Sequence, residues 1–158
     1  MDSSKKSGVA LFIGRFQPFH KGHLKVVKDL SRRFSLVKIV IGSSQLSGTV
    51  HDPYHAGLRR RMVHNTLKKE GIRNYRLMAI RDIESDSRYA AHVRKIVGHF
   101  DVVYSGTPLV KKLFKKAGFK VIHLPRYYGL SATKIRHIMK KAGGWEKFVH
   151  KEVRKLLG

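Results

Sequence analysis

Gly14-Arg15-Phe16-Gln17-Pro18-Phe19-His20-Lys21-Gly22-His23 joins a short apolar run, Val9-Ala10-Leu11-Phe12-Ile13, to a segment of helical spacing that begins near Lys21. The run has strand length and stops at a glycine, so the stretch reads as a strand, a turn and a helix start. A helix start leaves backbone N–H groups unpaired, and those donors together with the helix dipole favour phosphate. His20 and His23 stand three residues apart, a spacing that puts both rings on one helix face. Two convergent imidazoles at such a place suit phosphoryl chemistry. A cap or surface role for each histidine competes with that reading, as does half of a zinc site. No cysteine exists to complete a typical zinc site, and no third ligand lies close in sequence.

The chain has 158 residues, enough for one domain with a real core, so residues 1–158 are expected to form a single domain. Apolar residues make up 42%, which argues against disorder. The lack of cysteine excludes disulfides and fits a reducing compartment. Met1 to Ser7 is too polar for a signal peptide, and the apolar run behind it is too short to span a bilayer. A soluble, cytoplasmic protein without a membrane partner is expected. The net charge of +24, from 34 basic and 10 acidic residues, implies an anionic partner: nucleic acid, an acidic membrane surface or a polyphosphate substrate. A solvated surface that keeps the protein soluble is the plainer reading of the same charge.

Outward from the opening stretch, strands and helices alternate. Leu24, Val27 and Leu30 give the segment from Lys21 to Arg33 one apolar face. Leu36 to Ile41 reads as a buried strand closed by Gly42, and Ser43 to His55 as a loop. A helix is predicted from Gly57 to Glu70 and ends at Gly71. Tyr75 to Ile80 is the third strand, Asp82 to Asp86 an acidic loop, and Ser87 to Val97 a helix. Asp101 to Gly106 is the fourth strand. Pro108 opens a helix to Ala117, with Leu109, Leu113 and Phe114 inward. Phe119 to Leu124 is the fifth strand, a helix follows from Ser131 to about Ala142, and a last helix starts near Trp145. The connections are too long for hairpins, so the expected fold is α/β: a doubly wound, parallel five-stranded sheet with helices on both faces. Ligands bind such sheets at the carboxyl ends of the strands. Gly14, Gly42, Asp82, Gly106 and the Ser131 region all follow strand ends, so they are expected on one rim.

Leu130-Ser131-Ala132-Thr133-Lys134-Ile135-Arg136 opens a helix on that rim. Ser131 suits an N-cap, Thr133 and the free N–H groups can bond phosphate oxygens, and Arg136 adds a fixed charge with a fork of donors. An ordinary capped helix with an exposed Arg is the plainer alternative for this motif alone.

The opening stretch resembles the H-x-G-H signature of the nucleotidyltransferase superfamily, and Leu130 to Arg136 resembles its second signature, I/L-S-x-T-x-x-R. The wider wording is similar to the archaeal-type nicotinamide mononucleotide adenylyltransferases. Ile41 to Gln45, Asp52 to Gly57, Asp82-Ile83-Glu84, Tyr104 to Val110 and Trp145-Glu146 carry that similarity. The resemblance covers nearly the whole chain. It implies a Rossmann-like fold and an enzyme that joins ATP and nicotinamide mononucleotide into NAD and pyrophosphate. Direct in-line attack on the α-phosphate, assisted by Mg2+, is the implied reaction. It also implies roles. His20 and His23 are catalytic, and Gly14, Arg15, Phe16, Gly106, Ser131, Thr133 and Arg136 hold ATP and its phosphates. Arg59, Asp82 and Tyr89 bind the acceptor, with no protein-held metal. A homo-oligomer is implied as well.

The chain departs from the family's pattern at Gly48 for a frequent His, Leu58 for a common Glu, Asp86 for a typical Asn, Arg88-Tyr89 for an apolar-Trp pair, and in a shorter, more aromatic Pro125 to Gly129 segment before the second signature. They cluster on the acceptor half. Tyr89 has two readings, a platform for a flat heterocycle in place of Trp, or packing against the helix it begins. A sibling transferase with a flavin, pantetheine or polyol phosphate acceptor is the alternative enzyme. A basic nucleic-acid-binding module is the alternative class, and non-specific nucleic-acid binding at low salt is expected in any case.

Overall fold

The computed structural model describes residues 6–141 and 143–158. Five strands form one sheet: β1 (Val9–Gly14), β2 (Leu36–Ile41), β3 (Tyr75–Ala79), β4 (Val102–Ser105) and β5 (Val121–His123). Their order is β3-β2-β1-β4-β5, and every pairing is parallel. The order reverses between β1 and β4, and a crevice opens at the carboxyl ends of strands at such a reversal. The expected α/β class and five strands are therefore observed.

Alternation along each strand feeds two cores. Phe12, Val37, Ile39 and Ile41 point to one face, where α1 (Lys21–Arg33), α2 (Ala56–Lys69) and α6 (Lys151–Leu157) cover them. Leu24, Val27 and Leu30 of α1 supply the expected apolar stripe. Leu11, Ile13, Val40 and Val103 point to the other face, under α3 (Tyr89–Val97) and α4 (Pro108–Lys116). The remaining helix, α5 (Ala132–Lys140), stands at the rim.

Three expectations are corrected. Leu109 is 50% exposed rather than inward. It lies in the first turn of α4, beside Thr107 and Pro108 at the mouth of a cavity, and Val110 and Leu113 pack instead. The helix expected from Ser87 is split into a 3-10 turn, Asp86–Arg88, and α3. The last helix does not start at Trp145: a 3-10 turn, Glu146–Phe148, and an extended, fully buried Val149 come first, and His150 caps α6. The predicted end of α5 at Ala142 lies outside the described residues, and so does the N-terminal segment up to Lys5. No described helix is long and apolar enough to cross a membrane.

Lys38 sits inside the otherwise apolar β2 and is buried. Its ammonium donates to the carbonyls of Val97 at 2.6 Å and His99 at 2.7 Å, at the C-terminal end of α3. A cation there satisfies helix-end carbonyls and complements the helix dipole. Burial lowers its pKa, and Arg76 and Arg94 push in the same direction. Lys38→Met keeps the stem but orphans those carbonyls. It should cost about 1–3 kcal/mol, read as a lower urea midpoint with an unchanged slope.

Candidate active site

The turn after β1 is held by aromatic packing. Phe16 is 1% exposed, has a φ of 57°, and meets Phe12 and Phe19 edge-on. Gly14 has to be glycine for this reason. A Cβ there would stand 2.8 Å from the Phe16 ring.

His20 is the N-cap of α1, and its Nδ1 accepts from the N–H groups of Gly22 at 3.0 Å and His23 at 3.3 Å. His23 Nδ1 in turn accepts from the N–H of His20 at 3.1 Å. This is a reciprocal capping box in which imidazoles replace the usual Ser and Glu. An Nδ1 that accepts carries no proton, so in each neutral ring the proton sits on Nε2. The rings stack with centroids 3.7 Å apart, and both residues line one cavity. Each presents an Nε2–H donor with a fixed tautomer. Burial lowers the His20 pKa to about 4. Burial first, and then His20, lowers that of His23 well below its usual value, while Phe16 and Phe19 supply its apolar surroundings. Gly22 is the middle of the motif because the His20 ring lies over it. A Cβ would come 2.8 Å from that ring and 3.3 Å from the Tyr127 carbonyl.

The cavity, about 740 Å3, sits at the strand reversal. Gly14, Arg15, Phe16, Gly106, Ser131, Thr133 and Arg136 all line it with the histidines, so the structure brings the two sequence motifs together. Ser131 Oγ caps α5 by accepting from the Lys134 N–H at 3.1 Å. Arg136 donates to the Gln17 carbonyl at 2.8 Å and to Thr133 Oγ1 at 3.3 Å, which ties the second motif to the first. Arg15 is anchored by Asp52 at 3.3 Å, yet its side chain stays 55% exposed at the cavity. Gln17 is 1% exposed and exchanges two hydrogen bonds with the Tyr54 backbone, at 3.0 and 2.9 Å.

The three acceptor positions are placed differently, and none of them lines this cavity. Arg59 is fully buried. It gives its donors to the carbonyls of Arg15 and Gly42, at 3.0 and 2.9 Å, and of Ser43 and Leu46, both at 3.2 Å. It therefore positions the loops and is not a free acceptor ligand. Asp82 is exposed, but its carboxylate accepts from Ser43 Oγ at 2.8 Å and Gln45 Nε2 at 2.9 Å. Tyr89 is 8% exposed, with its ring edge-on to Phe114 at 6.1 Å. Its ring packs in the core, the second of its two readings, and does not stand free as a platform. Burial, followed by Asp82, raises its hydroxyl pKa to about 12, against an opposing effect of Arg15.

Sequence reasoning missed several cavity residues. His51, Thr107, Lys111, His123, Arg126 and Tyr127 also line the wall, and Lys111 Nζ meets His123 Nδ1. Asp52 anchors Arg15 across 37 positions, a separation with no sequence period to reveal it. Asp and Glu are absent from the lining, and no described group of three or more His, Cys, Asp or Glu could hold a metal ion. Mg2+ requires oxygen ligands, so these residues do not fit a resident metal.

The fold and motifs define a nucleotidyltransferase. A cytidylyltransferase-like family model matches residues 11–138, and the chain belongs to that family. Among curated proteins, it is 43% identical over 145 residues to a nicotinamide-nucleotide adenylyltransferase of Thermoplasma acidophilum, covering 90% of this chain and 81% of that one. It is 40% identical over 155 residues to the protein of the same name from Archaeoglobus fulgidus, covering 94% of this chain and 89% of that one. Among solved structures, it resembles a bifunctional NMN adenylyltransferase/ADP ribose pyrophosphatase from Francisella tularensis complexed with AMP and a manganese ion. The TM-score is 0.76 at 22% identity, over 90% of this chain and 44% of that one.

Gly22→Ala should fold but displace the His20 ring. A misplacement of about 1 Å costs on the order of 10²-fold in turnover. Near-parental turnover would show that the ring tolerates the shift. A second prediction follows from titration. Below pH 6.5 the unfolded chain protonates a His20 that the folded chain keeps neutral down to about 4. Stability should therefore fall as pH drops through that window. His20→Asn keeps a capping oxygen but cannot titrate, so its thermal midpoint should fall less over the same range. An unchanged pH slope would remove His20 from the effect.

Proposed function

We propose that this nucleotidyltransferase joins ATP and nicotinamide mononucleotide to give NAD and pyrophosphate. The observation that carries the reading is the reciprocally capped His20–His23 pair facing Arg15 and Arg136 in a cavity lined without carboxylates. The names of the archaeal relatives supply the acceptor. A phosphate oxygen of the mononucleotide attacks the α-phosphorus of ATP in line. The bond from that phosphorus to the bridging oxygen of the β-phosphate breaks, and the electron pair leaves on pyrophosphate. No side chain need become covalently attached. Such a reaction asks the protein to position reactants and to meet developing charge.

The Nε2–H groups of His20 and His23 donate to α-phosphate oxygens. Arg15, Ser131, Thr133 and Arg136 hold the β- and γ-phosphates, with the Arg136 fork on the leaving group. Gly14, Phe16 and Gly106 shape the wall. A divalent ion, magnesium in this reading, would come with ATP and would neutralise phosphate charge, since the cavity offers no carboxylate to hold it. The acceptor lies beyond β1, toward Asp82 at the end of β3, and Arg59 fixes the loops beneath it. One domain of this size suffices for the whole reaction, and a cytoplasmic location suits its substrates.

Pyrophosphate release tests the proposal. The parent protein should release it from ATP with nicotinamide mononucleotide and not with FMN, phosphopantetheine or a polyol phosphate. His20→Ala and His23→Ala should each lower turnover on the order of 10²–10³-fold while weakening ATP binding far less. Turnover only with another acceptor would replace the substrate. Full turnover in either variant would make that histidine structural.

A further inference from the structure

A second concave surface lies outside the catalytic cavity. β3 is an edge strand, and a cleft of about 860 Å3 lies between it and the outer face of α2. Arg60, Arg61, His64, Lys68, Arg73 and Tyr75 line it, and none of them lines the catalytic cavity. Lys68, Arg73 and Tyr75 come before or at the amino end of β3, so the cleft extends away from the rim where the strands end. No carboxylate belongs to its lining. Among the described residues, Asp29, Asp52, Glu70, Asp101 and Glu152 pair with basic side chains elsewhere, and none pairs with these four Arg and Lys residues.

The wall is ordered. Arg60 donates to the Leu77 carbonyl on the edge strand at 2.9 Å. His64 Nδ1 and the Tyr75 hydroxyl lie 2.7 Å apart, which joins the two rings into one aromatic side. Like charges gathered on one concave face repel each other unless an anion neutralises them. A second copy of this chain would meet them with the same charges across a two-fold axis. A membrane would favour exposed apolar groups, and the large exposed ones, Val50, Ile96, Leu109 and Tyr128, all lie outside the cleft. Phosphate-tracking cations beside an aromatic wall are the chemistry of single-strand binding.

We propose that the cleft between α2 and β3 binds single-stranded nucleic acid, with its Arg and Lys side chains on the phosphates and the His64–Tyr75 wall against a base. The surface is separate from the transferase reaction. The test is fluorescence anisotropy of a short labelled oligouridylate across a salt series, without ATP and then with saturating ATP and Mg2+.

Arg61→Ala combined with Arg73→Ala should weaken binding roughly tenfold or more at low salt. It should also flatten the plot of log affinity against log salt by roughly 1.4, at about 0.7 for each phosphate contact. Lys112→Ala combined with Lys115→Ala removes equal charge from the exposed side of α4 and should leave binding and slope near parental. Pyrophosphate release and thermal stability should stay parental in the Arg61/Arg73 variant. In the parent protein, ultraviolet crosslinking should attach the oligomer to the peptide that contains Tyr75. Equal losses in the two double variants would assign the binding to diffuse charge and overturn the proposal. Displacement of the oligomer by ATP, or crosslinks confined to cavity peptides, would assign it to the catalytic cavity and overturn it too. It would also fall if the Arg61/Arg73 variant lost self-association or binding to phosphatidylserine vesicles while keeping the oligomer.

Discussion

A fully buried guanidinium holds the rim together. Arg59 reaches from α2 to carbonyls in the turns that follow β1 and β2, and among the described residues no carboxylate pairs with it. Burying a charge is costly unless hydrogen bonds replace water, and here four do so. Lysine could not replace it, because a single ammonium cannot span carbonyls from Arg15 to Leu46 with a planar fork. The Arg59 Nε has no hydrogen-bond partner among the described residues, so the terminal nitrogens carry these bonds. Arg15 is one of the clamped residues, and His20 begins the helix that follows it.

The histidine pair shows how the same backbone atoms serve folding and chemistry. Three N–H groups at the start of α1, those of His20, Gly22 and His23, need acceptors, and two imidazole Nδ1 atoms supply them. Those bonds fix each tautomer and put the remaining proton of each neutral ring on Nε2. Burial keeps both rings neutral, so the donors add no net charge of their own and the arginines carry the electrostatics. A single methyl group at Gly22 would disturb cap, tautomer and site together.

The charge of +24 is gathered in separate places on the fold. Arg15 and Arg136 are held by Asp52, Gln17 and Thr133 at the cavity, which costs them freedom and gives them direction. At the α2 and β3 edge Arg60 is held by the Leu77 carbonyl, and among the described residues none of Arg60, Arg61, Lys68 and Arg73 pairs with a carboxylate. Net charge alone does not distinguish these two populations.

Local sequence determined the strand and helix alternation, the two motifs and the glycines that end the elements. Those features depend on side-chain period and backbone preference within a few residues of one another. The spacing of His20 and His23 was legible as well, but His20 is the extended N-cap and stands outside the helix, so it is the reciprocal cap that brings the two rings together. Local sequence did not determine what surrounds a side chain. Whether Tyr89 offers a ring face or buries it depends on Phe114, 25 positions away, and whether Arg59 meets a ligand or a loop depends on carbonyls 13 to 44 positions away. Leu109 kept the apolar spacing but is half exposed, and Lys38 broke that spacing yet is buried because the end of α3 offers carbonyls. Burial and hydrogen-bond partnership arise only when distant segments meet, so the tertiary structure alone decided them.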